Sequence, residues 1–193
     1  MAALNVVLVL AAAAIGAPAG HDVSRWSDHI EDASVRYGVP AAWIARVMYA
    51  ESRGRTEWAG RPITSRAGAM GLMQLMPGTW AAMRARLGLG ADPHHPRDNI
   101  MAGAFYLRLM YDRFGYPGLF AAYNAGPARY AQHIAAGVPL PRETRDYVAR
   151  VAGAVEASQQ PPRLPTAERG LFFPLSKPER PGAVGKRGGL FVR

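Results

Sequence analysis

The sequence predicts a mostly α-helical domain made of short helices, with one small loop or hairpin region. Apolar residues recur every three or four positions in several segments, which is the spacing of one buried helix face. Gly and Pro residues separate these segments, and both residue types mark the starts and ends of helices. Six or seven helices with brief connections make up the predicted domain.

Two helices are predicted before the loop region. The first carries an apolar face from Trp26 to Tyr37 and ends at Gly38. The second begins at Pro40 and has an apolar stripe formed by Ile44, Val47 and Met48. The segment 60–76 is rich in Gly and has no clear period, so it is predicted to be a loop or a small hairpin.

Five helices are predicted after the loop. One begins at Pro77 and ends at Gly88, and the next has the strongest apolar stripe of the chain, between residues 100 and 114. Two short helices follow at 119–123 and 127–136. The last helix carries Tyr147, Val148, Val151 and Val155.

The N-terminal residues 1–19 have the layout of a signal peptide. An apolar run from Leu4 to Ile15 precedes small residues, and Ala17 and Ala19 have the spacing of a signal-peptidase site. The run is shorter than the ~20 residues of a spanning helix. We expect cleavage after Ala19, export to the periplasm and no stable membrane insertion. Because no Lys or Arg precedes the run, an N-terminal anchor is the alternative.

The C-terminal residues 159–193 are predicted to form a flexible basic tail that is rich in Pro and Gly. The segment holds six of the 16 Pro and five of the 21 Gly, and its net charge is +5. Such a composition buries too little apolar surface to fold alone. Residues 20–158 therefore form the single predicted domain.

Composition excludes several kinds of site. The chain has no Cys, which excludes disulfides, thiolate metal sites and a Cys nucleophile. His94 and His95 are adjacent in a Pro-flanked loop without a further ligand pattern, so no metal site is predicted. The formal net charge of +9 indicates an anionic partner: nucleic acid, a membrane surface or an acidic polymer.

One carboxylate is placed like a general acid. Glu51 continues the apolar stripe of the second helix, so it should point inward at the end of that helix. Burial and the negative end of the helix dipole both raise the pKa of a carboxyl group. A general acid needs such a raised pKa near neutral pH. The alternative is a surface Glu that pairs with Arg46, Arg53 or Arg55.

Two later segments carry groups that suit a sugar ligand. Residues 65–77 are small and Gly-rich, and then supply a Gln and several Met. Gly allows a backbone to approach a ligand closely, and amides bind sugar hydroxyls. Core packing is the alternative role of the Met residues. Residues 121–127 place a Tyr and an Asn at a helix-ending turn, which alone is an ordinary helix stop.

Four short motifs occur in a defined order along the chain: ES at 51–52, GLMQ at 71–74, AYNAG at 122–126 and PRETRDYV at 141–148. Together they resemble the soluble lytic transglycosylases, and the resemblance covers residues 33–151. It implies a lysozyme-like fold of the goose type and cleavage of the MurNAc–GlcNAc β-1,4 bond of peptidoglycan. It also implies that no cofactor is needed. Small members of this kind resemble enzymes that serve secretion or conjugation machines, which the tail could contact.

The resemblance also assigns roles to individual residues. Glu51 matches the sole catalytic acid and base, and Tyr123 matches the tyrosine that hydrogen-bonds its carboxyl, with Asn124 beside it. Glu143 and Tyr147 match the wall that meets the glycan or its peptide. The residues that match sugar contacts in the groove are Ser65, Met73, Gln74 and Met76. The interval from Glu51 to Ser65 is longer than in the family because of residues 56–64, so Ser65 is the weakest match.

The distribution of acids bears on the reaction. Hydrolytic glycosidases ordinarily use two carboxylates. No Asp or Glu lies between Trp58 and Ala91, whereas a transglycosylase needs only one carboxylate because the substrate supplies its own nucleophile. A hydrolytic muramidase that uses Glu57, or a distant acid such as Asp92 or Asp146, is the first alternative. A basic protein that binds the wall or nucleic acid is the second, although no nucleic-acid partner is expected.

Overall fold

The structure is a computed structural model that describes residues 21–153. The predicted leader 1–19, the tail 159–193 and Val155 lie outside the described residues. Within residues 21–153 the chain forms eight helices and one two-stranded sheet: α1 His21–Ser24, α2 Ser27–Tyr37, α3 Ala41–Ser52, β1 Glu57–Trp58, β2 Arg61–Pro62, α4 Pro77–Leu87, α5 Pro96–Phe114, α6 Gly118–Ala125, α7 Pro127–Ala136 and α8 Arg142–Ala152. The mostly α-helical prediction is confirmed.

Helix α5 is the centre of the domain. It carries the strongest apolar stripe of the sequence, and Ile100, Leu107 and Met110 on that stripe are fully buried. Helices α2, α4 and α6 pack around it. Removal of the apolar side chains of these helices from water is the main favourable contribution to folding.

An aromatic cluster attaches α3 to the central helices. The Trp43 ring lies 5.5 Å from the Tyr111 ring, 5.5 Å from the Tyr116 ring and 5.6 Å from the Phe120 ring, centroid to centroid. Trp43 is fully buried. Because Trp43 is near the start of α3, these rings fix the N-terminal part of that helix against α5 and α6.

Helix boundaries follow the predicted Gly and Pro signals. Gly38 and Gly88 end α2 and α4 in the left-handed conformation, in which Gly has no Cβ to clash. Pro77 and Pro127 are the first residues of α4 and α7, where the missing N–H costs no helical hydrogen bond. At the N-terminal end the prediction differs from the structure, because Trp26 precedes α2 and α1 is a separate turn of helix.

The predicted loop region contains a short hairpin. Glu57 pairs with Pro62 and Trp58 with Arg61 in an antiparallel register. Ala59 and Gly60 both have positive φ, 52° and 72°, as two-residue hairpin turns of the I′ class require. The hairpin thus begins at Glu57, slightly before the predicted loop, because the turn residues rather than the Gly content set its register.

None of the described helices combines the length and the apolar character that crossing a membrane requires.

Candidate active site

Glu51 lies in the last turn of α3, and the chain turns sharply after it. Arg53 has a left-handed φ of 56° and donates its backbone N–H to the Tyr49 carbonyl at 3.0 Å. The Ser52 hydroxyl donates to the Met48 carbonyl at 3.3 Å and accepts the Gly54 N–H at 3.1 Å. These bonds satisfy groups that a helix end leaves unpaired, so the position of Glu51 is well defined.

The junction of α1 and α2 supports this turn. The Arg25 guanidinium and the Trp26 indole both donate to the Gly54 carbonyl, at 2.7 Å and 2.9 Å. Trp26 therefore contributes to the end of α3 rather than to an apolar face of α2. Two donors from a distant segment of the chain hold the backbone that follows Glu51.

Glu51 keeps a small exposed surface, while protein atoms surround most of its carboxyl group. Burial raises the pKa of this carboxyl from 4.5 to about 7. The Tyr147 hydroxyl lowers the pKa, the charge of Glu143 raises it, and the charge of Arg150 lowers it. The net result is a carboxyl group that can be protonated or ionised near neutral pH, as predicted from its place on the stripe.

Tyr147 is the tyrosine next to the Glu51 carboxyl. Its hydroxyl is buried without a hydrogen-bond partner among residues 21–153, and it lowers the pKa of the Glu51 carboxyl. Burial raises the pKa of Tyr147 well above 10, so the phenol stays protonated. It is therefore a neutral donor facing a carboxyl group, poised to bond the ionised form.

Tyr123 has a different partner from the one that the resemblance implied. Its hydroxyl donates to the Met73 carbonyl at 2.8 Å, so its single proton is not directed at Glu51. The ring is buried, and its centroid lies 5.3 Å from that of Tyr106. Tyr123 thus connects α6 to the Gly-rich loop, and burial raises its pKa well above 10, with the Glu51 charge as a smaller cause.

Asn99 holds the Gly-rich loop from the other side. Its side-chain oxygen accepts the Met73 N–H at 2.7 Å, and its amide donates to the Met70 carbonyl at 3.1 Å and the Pro93 carbonyl at 2.8 Å. The residue is fully buried. The sequence pattern did not predict this role of Asn99. The signal that could have indicated it is a polar Asn directly before the strongest apolar stripe.

The loop approaches α5 so closely that two positions require Gly. Gly71 has a φ of 73°, and a Cβ there would lie 2.4 Å from the Asn99 amide nitrogen. A Cβ on Gly103 would lie 2.6 Å from the Met73 side chain. Met73 is fully buried as a result, so its side chain packs against α5, and the predicted sugar contact stays a prediction.

The remaining predicted groove residues differ in exposure. Gln74 is half-buried with a φ of 47°, and its amide donates to the Gly71 carbonyl at 2.8 Å. Met76 is 46% exposed, and Asn124 is half-buried. Ser65 is exposed, and its hydroxyl accepts the Ala69 N–H at 3.0 Å, which closes the loop onto itself.

The structure thus brings the predicted residues into two groups. Glu51, Glu143 and Tyr147 interact electrostatically, and one hydrogen bond joins Tyr123 to Met73. Among residues 21–153, no three His, Asp or Glu side chains are grouped as a metal site requires. Acid–base chemistry on a bound ligand is what this arrangement can perform.

The family model described as "Transglycosylase SLT domain" matches residues 28–137, which include Glu51, the Gly-rich loop and Tyr123. The chain belongs to this family. Helix α8 and Glu143 lie beyond the matched range.

Curated relatives include a transglycosylase of Enterobacteria phage PRD1 and the soluble lytic murein transglycosylase of Escherichia coli K12. The phage protein is 38% identical over 91 residues, which are 47% of this chain and 31% of the phage protein. The Escherichia coli protein is 42% identical over 89 residues, which are 42% of this chain and 14% of that protein. The chain therefore matches less than a third of either relative.

Two similar solved structures are the lytic transglycosylase Slt of Pseudomonas aeruginosa, as an inactive mutant, and the 70 kDa soluble lytic transglycosylase of Escherichia coli. The first is 30% identical to this chain with a TM-score of 0.56, and the match covers 64% of this chain and 22% of the Pseudomonas aeruginosa chain. The second is 29% identical to this chain with a TM-score of 0.56, and the match covers 65% of this chain and 22% of the Escherichia coli chain. These similarities confirm the predicted lysozyme-like fold.

Proposed function

We propose that this protein is a lytic transglycosylase that cleaves the MurNAc–GlcNAc β-1,4 bond of peptidoglycan without consuming water. The observation that carries the proposal is Glu51, a carboxyl group enclosed by protein whose pKa is raised to about 7. The family, and relatives whose names describe murein transglycosylases, support the same reaction class.

Glu51 acts twice in this reaction. The protonated carboxyl first donates to the glycosidic oxygen, and the bond between C1 of MurNAc and that oxygen breaks. The resulting carboxylate then removes the proton of the C6 hydroxyl of the same MurNAc, whose oxygen attacks C1. The product is a 1,6-anhydroMurNAc end, and Glu51 has regained its proton.

The surroundings of Glu51 support both of its protonation states. Burial favours the neutral acid that begins the reaction, and the Tyr147 hydroxyl favours the carboxylate that exists between the two steps. A pKa near the operating pH makes both transfers accessible, since neither state is strongly preferred. Tyr123 holds the Gly-rich loop instead, because its hydroxyl donates to the Met73 carbonyl.

Ser65, Gln74, Met76 and Asn124 remain our proposed sugar-contacting residues. Met73 is not among them, because it is fully buried and its backbone N–H and carbonyl are bonded to Asn99 and Tyr123. Exposed Glu143, in the first turn of α8, is proposed to meet the peptide stem. Export with cleavage after Ala19, and a secretion or conjugation machine as partner of the tail, are proposals that rest on the sequence alone.

The hydrolytic alternative requires a second carboxylate that activates water. Glu57 is exposed on β1, and its charge is not among the causes that shift the pKa of Glu51. Glu143 is the carboxylate whose charge acts on Glu51. The two alternatives therefore predict different effects of Glu57→Gln and Glu143→Gln.

The test is mass spectrometry of purified sacculi digested by the full chain and by three variants, Glu51→Gln, Glu57→Gln and Glu143→Gln. We expect muropeptides one water lighter than hydrolytic products from the full chain. Loss of a general acid and base costs about 10²–10⁴ in rate, so Glu51→Gln should release almost none. Glu57→Gln should match the parent.

Products of full hydrolytic mass would contradict the proposal and identify a muramidase. Loss of activity in Glu57→Gln or complete loss in Glu143→Gln, with full folding, would identify a second catalytic carboxylate. Unchanged activity in Glu51→Gln would remove the proposed acid.

A further inference from the structure

A basic hairpin lies directly beside the candidate active site. We define it as residues 53–66, which contain the strands β1 and β2. The segment holds four Arg and a single acid, Glu57. It lies between the ES motif at 51–52 and the GLMQ motif at 71–74 and includes neither.

The hairpin is joined to both parts of the site. Glu51 is followed directly by the turn at Arg53, so the hairpin begins where α3 ends. At its other end, the Gly71 N–H donates to the Ile63 carbonyl at 3.1 Å, and Thr64 forms a bridge with Met70. Because backbone hydrogen bonds connect it to the Gly-rich loop, the hairpin forms a continuous edge with the residues proposed to bind sugar.

Trp58 gives the hairpin an exposed aromatic face. Its side chain is 65% exposed, while the other three Trp residues are buried or half-buried. The Arg55 guanidinium lies over this ring, 5.2 Å from its centroid. An indole held in this way presents a flat apolar surface with a cation beside it, which suits the C–H face of a sugar ring that carries an acid.

The positive charges of the hairpin are not neutralised within the described part of the chain. The ion pairs between residues 21 and 153 are made by His95, Arg97, Arg108 and Arg142. Arg53, Arg61 and Arg66 are exposed. The hairpin therefore attracts anions, and Arg binds carboxylates in a planar, two-pronged geometry.

We propose that the basic hairpin binds carboxylate-bearing polysaccharide at the edge of the active site. Trp58 packs on a sugar ring of the strand, and Arg55, Arg61 and Arg66 bind carboxylates of the strand or its peptide stems. The proposal rests on the proposed function, since peptidoglycan is the polysaccharide that carries such carboxylates beside the scissile bond. The hairpin thereby lengthens the groove beyond the shared motifs.

The test measures retention on sacculi in a non-cleaving background. The full chain with Glu51→Gln is compared with the same chain carrying Trp58→Ala and Arg61→Gln. The matched control carries Val35→Ala and Arg36→Gln, an exposed apolar residue and an adjacent exposed Arg on α2 that lie outside the hairpin. Both pairs lose one apolar side chain and one positive charge.

We expect the hairpin pair to lower the affinity for sacculi about tenfold, because an exposed aromatic contact and an exposed ion pair each contribute a few-fold. The control pair should change affinity less than about twofold. Conversion of the sacculus carboxylates to neutral amides should weaken binding of the parent more than binding of the hairpin variant, which has lost Arg61 but keeps Arg55 and Arg66. Higher salt should reduce the difference between them.

Equal retention of the hairpin and control variants would overturn the proposal, as would a parent that binds amidated and untreated sacculi equally. An oligo-dT strand that displaces sacculi, and whose binding depends on the same two residues, would overturn it in favour of nucleic acid. Cleavage by the chain with intact Glu51 is measured in parallel. Absence of anhydro products there would refute the proposed function, while the binding arms still decide the role of the hairpin.

Discussion

The two halves of the site are held in place by different kinds of interaction. The helical half consists of Glu51 on α3 and Tyr147 on α8, which aromatic and aliphatic packing brings together. The loop half is the segment 70–76, whose backbone is bound by Asn99 and Tyr123. Packing controls the protonation of the first half, whereas a few buried hydrogen bonds control the shape of the second.

Because of this difference, substitutions can change the acid–base chemistry of Glu51 and the shape of the ligand-binding loop separately. Burial sets the pKa of Glu51, so changes that keep the helices packed should leave that pKa intact. The loop has little regular structure, and a buried polar group without its partner is costly. Single substitutions at Asn99 or Tyr123 should therefore act on the loop half first.

The largest expected effect comes from Asn99→Ala, which breaks the loop half. Three hydrogen bonds are lost, and the Met73 N–H is left buried without a partner, so the free energy of unfolding should fall by about 4 kcal/mol. Urea denaturation followed by circular dichroism measures this free energy of unfolding.

The matched control for this substitution is Asn124→Ala, at a half-buried Asn on α6. It should cost less than about 1 kcal/mol, because substitutions at partly exposed sites are mild. Equal losses from the two variants would mean that the Asn99 bonds are not what holds the loop.

The next effect concerns the helical half and depends on pH. The Glu51 carboxyl has a pKa of about 7 in the folded chain against 4.5 as its ordinary value, so its ionisation destabilises the fold as pH rises. That contribution to stability is fully present below pH 4.5 and is lost as pH passes through about 7. Glu51→Gln should therefore be more stable than the parent at pH 8, by up to about 3 kcal/mol.

At pH 4 the two proteins should differ little, because the parent carboxyl is then protonated in both folded and unfolded states. Glu57→Gln is the control, since Glu57 is exposed on the hairpin. Thermal unfolding across this pH range measures the difference. A stability gain of Glu51→Gln that is the same at pH 4 and pH 8 would refute a raised pKa.

A smaller effect is expected from Tyr123→Phe, which removes one bond from the loop half. The Met73 carbonyl loses its buried donor, and stability should fall by about 1–2 kcal/mol. Tyr106→Phe removes a hydroxyl from the adjacent ring without touching the Met73 bond. If the two variants lose the same stability, the Tyr123 bond does not support the loop.

The smallest effect should come from Tyr147→Phe, which changes the helical half of the site and leaves the loop half intact. The Tyr147 hydroxyl lowers the pKa of Glu51, so its loss should raise that pKa further. The alkaline limb of the pH–rate profile should move to higher pH, since the acid stays protonated longer. A limb that moves to lower pH would contradict the assigned role of Tyr147. An unchanged limb together with lower stability would leave Tyr147 a purely packing residue.

Much of the fold could be predicted because local signals are strong. Gly38 and Gly88 end helices by conformational freedom, and the stripe on α5 has the period of a buried face. The place of Glu51 on such a stripe predicted an inward carboxyl but left a surface Glu as the alternative, and its raised pKa favours the buried position. The start of the hairpin was predicted less well, because its register depends on the turn at Ala59 and Gly60.

Local sequence patterns predicted the helices and most of their boundaries, because helix period and capping depend on residues a few positions apart. They also gave an inward Glu51 as one of two alternatives. The groups that Tyr123, Tyr147 and Asn99 contact could be identified from the tertiary structure alone. Tyr123 meets Met73 across 50 residues and Asn99 meets Met73 across 26. Such bonds arise when helices pack, and the hydroxyl direction depends on which buried acceptor lies nearest. No local pattern carries that information.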